Sequence, residues 1–188
     1  MANTIPLDGE LVAQDTWSLR DYWRWLAIGL LVALLALLAW GLRVQGGGPI
    51  TSGPAPDFSL TTFEGETVTL SELHGQVVII NFWASWCPPC REEAAYLETT
   101  WRRYQDRGVV FVGVDYLDAK PNALAYLEEF DITYPNGQDI GQRIARAYSI
   151  KGVPETFYVD RTGQVRAVHI GPLYSPTLDD KIEELLAE

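Results

Sequence analysis

The segment from Asn81 to Glu93, NFWASWCPPCREE, holds both cysteines of the chain, Cys87 and Cys90, with two prolines between them. Two thiols at this spacing can bind a metal, carry a haem or trade a disulfide with another protein. Haem attachment through C-x-x-C-H fails because Arg91 stands in the histidine position. Zinc would need His74 and His169, which lie too far along the chain for finger spacing. A purely structural crosslink closing so small a loop would restrict the unfolded chain very little. Thiol–disulfide exchange is the chemistry that the pair suits.

The flanking residues say how the pair is placed. Val77 to Phe82, VVIINF, is a continuous apolar run of the kind expected for a strand buried on both faces. From Cys87 to Gln105 the periodicity is helical, with Ala94, Leu97, Trp101 and Tyr104 on one side and Gly108 beyond the end. Cys87 then falls at the helix N-cap, with Pro88 at N1 and Pro89 at N2, where a missing N–H costs no helical bond. The first amide after Cys87 belongs to Cys90 and aims back at the Cys87 sulfur. That donor and the positive end of the helix dipole favour a thiolate. Cys87 is therefore the expected nucleophile. Cys90, one turn in and facing the interior, is the expected resolving thiol.

The remaining elements must position this junction. Phe58 to Leu70 alternates apolar and polar residues around Glu64-Gly65, which predicts a β-hairpin, and Ser71 to His74 predicts a short turn closed by Gly75. Val109 to Asp115 reads as a second buried strand, and Pro121–Phe130 and Ile140–Tyr148 as helices. ETFYVD and VRAVHI read as strands joined by the turn Asp160-Arg161-Thr162-Gly163, and Thr177 to Ala187 closes the chain as a helix. Strands and helices in this order imply an α/β fold, a mixed central sheet flanked by helices.

One segment stands apart. Trp25 to Leu42 runs eighteen residues without a charge, roughly 27 Å of helix, with Trp23, Trp25 and Trp40 near its ends. An apolar surface on every side argues against a core helix. A cleaved signal peptide is disfavoured by a 24-residue leader carrying four acids and by the lack of an A-x-A site. The expected organisation is a cytoplasmic tail over 1–24, a single transmembrane helix over 25–42, a Gly/Pro-rich linker over 43–56 and a folded domain over 57–188. Arg20 and Arg24 precede the span and Arg43 follows it, a one-charge bias that places the C-terminal domain on the extracytoplasmic side. The net charge of −11, with 21 acidic against 11 basic residues past residue 50, makes nucleic acid an unsuitable partner.

FWASWCPPC with GVPETFYVD downstream resembles the thioredoxin-like superfamily, and within it the membrane-anchored TlpA/ResA/CcmG (DsbE) group. The resemblance covers the chain from about Ala55 onward. It implies a thioredoxin-like fold with an N-terminal β-hairpin extension, and a thiol-disulfide oxidoreductase acting outside the cytoplasm with no cofactor or metal beyond the Cys87–Cys90 pair. It implies protein disulfides as substrates, apocytochrome c among them, and a membrane protein as electron donor. Residue by residue, Pro154 matches the family's cis-proline, Val153 the position whose backbone pairs with a bound substrate chain, and Trp86 the tryptophan flanking the nucleophile. Glu93 matches a partly buried glutamate that relays a proton to or from Cys90 and tunes the thiols. Glu155 matches a carboxylate suited to selecting basic or polar substrates, or else lies on the surface. One departure is Asn81, which stands where ordinary thioredoxin has a buried aspartate and cannot titrate.

The expected function is thus a reductant of disulfides in exported proteins, serving cytochrome c maturation. Two alternatives stand beside it: an oxidase donating its disulfide, and a redox-inert metal-binding or chaperone module on the same fold.

Overall fold

The computed structural model describes residues 19–44 and 48–188, with side chains from 22–41 and 48–188. Most of the expected tail, and residues 45–47 of the expected linker, lie outside the described residues. The two compact units are the segment before Gly48 and the domain that begins there.

In the first unit, α1 (Leu19–Val44) is one helix of 26 residues. It is longer than the charge-free run because Arg20, Asp21, Arg24 and Arg43 continue it at both ends. The stretch Tyr22–Gly41 is long and apolar enough to be a candidate membrane span, and its side chains are exposed throughout.

In the second unit the strands are β1 (Gly53–Pro54), β2 (Ser59–Thr61), β3 (Thr67–Thr69), β4 (Val77–Trp83), β5 (Val109–Asp115), β6 (Asn136–Gln138), β7 (Glu155–Val159) and β8 (Gln164–Ile170). The helices are α2 (Pro88–Tyr104), α3 (Lys120–Glu129), α4 (Arg143–Ala147) and α5 (Thr177–Ala187). Six strands form one sheet in the order β1-β8-β7-β4-β5-β6, and β2 and β3 form the separate hairpin. β4 pairs in parallel with β5 and antiparallel with β7, which makes the sheet mixed. This is the expected thioredoxin-like architecture with its hairpin extension.

Strand alternation builds the core. Val78, Ile80 and Phe82 of β4 join Val112, Val114, Phe157, Ile144 and Tyr148 on one face. Val77 and Ile79 join Leu97, Phe111, Tyr158, Leu178 and Ile182 on the other, under α2 and α5. A third cluster ties Trp83 and both cysteines to Ala123, Tyr126 and Leu127 of α3.

Three features differ from the sequence expectation. The expected linker is part of the domain from Gly48 on, because Ile50 N donates to Tyr148 O at 3.4 Å, Gly53 and Pro54 pair with Val165 and Gln164, and Ala55 N donates to Gly163 O at 2.9 Å. β6 carries no alternating pattern in NGQ, yet Gly113–Asp115 align beside it. The helix expected over 140–148 is shortened to α4 by a 3₁₀ turn at Ile140–Gln142, where Gly141 adopts φ 73°.

At Gly113 the sheet admits no side chain. The Trp83 indole crosses β5 there, and its Nε1 donates to Asn136 Oδ1 at 2.8 Å. A Cβ at Gly113 would lie 1.7 Å from that oxygen.

Leu97 is 1 % exposed and central to the α2–α5 face. Leu97→Ala is expected to lower unfolding stability by about 3 kcal/mol, read as a shift in the denaturant midpoint at unchanged slope.

Candidate active site

β4 delivers the chain to the site, and a four-residue loop carries it into α2. The loop is held from β5 and the segment after it. Tyr116 N donates to Trp83 O at 2.8 Å, Ser85 N donates to Asp118 Oδ2 at 2.6 Å, and Trp86 Nε1 donates to Leu117 O at 3.1 Å. Cys87 is the N-cap of α2 with extended backbone, and Pro88 and Pro89 occupy its first turn. Cys90 N donates to Cys87 Sγ at 3.2 Å, as the spacing required. The two cysteines are joined in a disulfide, their Cα atoms 5.3 Å apart.

From the other side the Cys87 sulfur meets the loop before β7. Its Sγ lies 3.5 Å from the carbonyl oxygen of Val153, and the Val153–Pro154 peptide bond is cis. Trp86 sits beside the pair and is 55 % exposed. Cys87 is more enclosed than an open nucleophile would be, at 2 % exposed, because Val153 and the Ala84 loop close over it; Cys90 is fully buried.

Glu155 differs from the expectation of a substrate-selecting or surface carboxylate. It is 1 % exposed, and its Oε1 accepts from the amides of Lys151 at 2.6 Å and Gly152 at 3.1 Å. The carboxylate turns inward because β7 begins at Glu155 between Phe82 and Ile170. Its target is therefore the backbone of the Val153–Pro154 loop.

Glu93 lies one turn beyond Cys90 and is 1 % exposed. Its Oε1 accepts from Asn81 Nδ2 at 2.9 Å and its Oε2 from Leu173 N at 2.7 Å. Asn81 also donates to Thr156 Oγ1 at 2.9 Å, so β4, β7 and the segment before α5 converge on this carboxyl. Burial raises Glu93 from 4.5 to about 7, against the lowering effect of the Leu173 amide and the Asn81 side chain. A group with that affinity can accept or return a proton near neutral pH.

A second carboxyl, Asp115, ends β5 in register with Trp83 and is fully buried. Neither of its oxygens has a hydrogen-bond partner among the described residues. Burial, helped by the negative Asp118 nearby, raises it from 3.8 to about 7. Asp115, Asp118, Thr156 and Tyr126 were not singled out from the sequence. Tyr126 donates to Cys90 O at 3.0 Å and stacks on Trp83. Asp115 at the end of a buried parallel strand and Asp118 just past it offer a usable signal, since such ends gather function.

A C-x-x-C disulfide at a helix N-cap, a cis-proline loop against its sulfur and a buried carboxyl one turn in, on this sheet, define a thioredoxin-like thiol-disulfide oxidoreductase. The model of the AhpC/TSA family matches residues 51–168, and the chain belongs to that family. It is 35 % identical over 166 residues to the thiol:disulfide interchange protein DsbE of Allochromatium vinosum, covering 85 % of this chain and 90 % of that protein. It is 31 % identical over 131 residues to the thiol-disulfide oxidoreductase ResA of Geobacillus thermodenitrificans, covering 70 % and 75 %. Among solved structures, a thiol:disulfide interchange protein of the thioredoxin family from Chlorobium tepidum superposes with a TM-score of 0.67, at 31 % identity over 73 % of this chain and 98 % of that one.

Two outcomes follow for the carboxyls. The native state holds the Glu93 proton up to about pH 7, whereas the unfolded chain releases it near 4.5. The native form thus binds more protons across that window, and stability falls as pH rises through it, by on the order of 3 kcal/mol for this group. Glu93→Gln is expected to flatten that part of the decline in denaturation series between pH 4 and 8, and Asp115→Asn a further part. For the loop, Glu155→Ala is expected to cost about 1–3 kcal/mol of stability and to slow disulfide exchange, while Glu155→Gln keeps the acceptor and most of the rate in a model-disulfide assay.

Proposed function

We propose that this protein is a membrane-anchored reductant of disulfides in exported proteins, with apocytochrome c as the substrate class and a membrane dithiol protein as electron donor. The observation that carries the direction of electron flow is the poverty of donors at the nucleophile. Pro88 and Pro89 remove two first-turn amides, so the Cys87 sulfur has the Cys90 amide alone among the described residues. A weakly held thiolate leaves the dithiol willing to give up electrons, whereas a strongly stabilised one makes an oxidant. Glu93, buried one turn past Cys90, adds no positive charge to hold it.

In the proposed cycle the Cys87 thiolate attacks a substrate disulfide, forming a mixed disulfide and expelling one substrate thiolate. Glu93 takes the Cys90 proton, and the Cys90 thiolate attacks Cys87 Sγ, expelling the second. Two electrons leave with the substrate dithiol, and the Cys87–Cys90 disulfide remains for the donor's dithiol to reduce. Val153 offers backbone to the substrate chain, Pro154 and Glu155 shape that loop, and Trp86 flanks the entrance. The two sulfurs need no further cofactor. The candidate span Tyr22–Gly41 serves as the anchor in this reading, and the excess of Arg20 and Arg24 over Arg43 supports an extracytoplasmic domain. The relatives named DsbE and ResA support exchange chemistry of this kind.

Cys87→Ser is expected to abolish disulfide reduction, and Cys90→Ser to accumulate a mixed disulfide whose partner mass spectrometry identifies. Equilibration with glutathione is expected to leave the pair mostly oxidised. A pair that glutathione reduces readily reverses the assigned direction, and the absence of any adduct on Cys90→Ser removes the cycle.

A further inference from the structure

A second concavity lies outside the redox site, between the β2 hairpin strand, β6 and the start of α4. It is a cleft of about 240 Å³ whose lining includes Ser59, Thr61, Lys120, Gln138, Ile140 and Arg143. The domain is acidic, and its cations are mostly taken. Of the 11 basic residues past residue 50, six pair with carboxylates: Arg91, Arg102, Arg103, Arg107, Arg166 and Lys181. Arg146 and Arg161 donate to backbone carbonyls. Three remain without an anionic or carbonyl partner among the described residues: Lys120, Arg143 and Lys151. Two of these three line the same cleft.

The rest of the lining suits a small oxyanion. Arg143 brings a guanidinium fork whose geometry matches phosphate, and Lys120, poised 5.9 Å over the Phe63 ring, brings a point charge. Ser59, Thr61 and Gln138 add hydroxyl and amide groups, and the exposed Ile140 adds an apolar wall. The acid in the lining, Asp139, makes no ion pair with either cation among the described residues. Its two oxygens accept from the amides of Ile144 at 3.1 Å and Ala145 at 2.8 Å. The volume is below that of sites for drug-sized ligands, which start at roughly 300 Å³, and fits a phosphate group with a short body.

We propose that this cleft binds a phosphate ester, its oxyanion held between Arg143 and Lys120. The chemistry is shared by soluble phosphate esters and by the headgroup of an anionic phospholipid. One lining residue, Gln138, is linked to the redox loop by hydrogen bonds. Gln138 Nε2 donates to Asp118 O at 2.5 Å, and Asp118 holds Ser85 N two residues before Cys87. A ligand that engages Gln138 therefore touches the segment that fixes the entry to α2.

The test is calorimetric titration of glycerol 3-phosphate into the full chain, held in zwitterionic phosphatidylcholine nanodiscs at low salt. Saturable binding is expected, with Arg143→Gln and Lys120→Gln each weakening it at least tenfold and Lys151→Gln leaving it unchanged. Neither cleft side chain makes a hydrogen bond or ion pair among the described residues, so both variants should keep the wild-type melting midpoint, which checks their folding. Repeating the titration in phosphatidylglycerol nanodiscs separates the sources. Suppressed binding of the soluble ester assigns the cleft to the lipid headgroup, and unchanged binding assigns it to a soluble ester. No saturable binding in phosphatidylcholine nanodiscs, or equal weakening by Lys151→Gln, overturns the proposal.

Discussion

The hydrogen bond from the Cys90 amide to the Cys87 sulfur exists only if β4 stops where it does and α2 starts four residues later. Everything nearby serves that junction. The register of β4 against β5 sets Trp83 beside Asp115. The β5–α3 segment then ties Trp83, Ser85 and Trp86 from one side. Tyr126 fixes the first turn of α2 from α3 by its bond to the Cys90 carbonyl. The two prolines add stiffness and subtract donors, so a single amide sets how well the sulfur holds charge.

Beneath this junction the polar interior is arranged around one carboxyl. Asn81 cannot ionise, but it spans Glu93 and Thr156 and so links β4, β7 and α2 at one point. Leu173 supplies the other bond to Glu93 from the segment before α5. Burial without a countercharge keeps the carboxyl protonated toward neutrality, the condition in which a proton can pass either way. Glu155 spends one oxygen differently, its Oε1 accepting from two backbone amides, and so fixes a loop.

Much of this was legible in the residues. Continuous apolar runs gave β4 and β5, and the N-cap cysteine with its prolines gave the start of α2. The GVPET segment gave the loop that meets the sulfur. What was not legible depends on distant partners. NGQ becomes β6 only because β5 offers an open edge, and Gly53–Pro54 becomes a strand only because β8 does. The same limit hid the inward turn of Glu155, since one sequence position can face solvent or a neighbouring backbone. Val109 to Asp115 reads as a buried strand, but nothing local shows that the Asp115 carboxyl goes without a partner among the described residues. Its state follows from Trp83 lying beside it in the sheet.

Gly113 gives the crossing of Trp83 over β5 a meaning for descent as well as for packing. Adding even a methyl group there would drive into Asn136 and the indole. The indole belongs to the residue from which the redox loop departs. Drift at this hidden spot would therefore unsettle the cysteines without touching either of them.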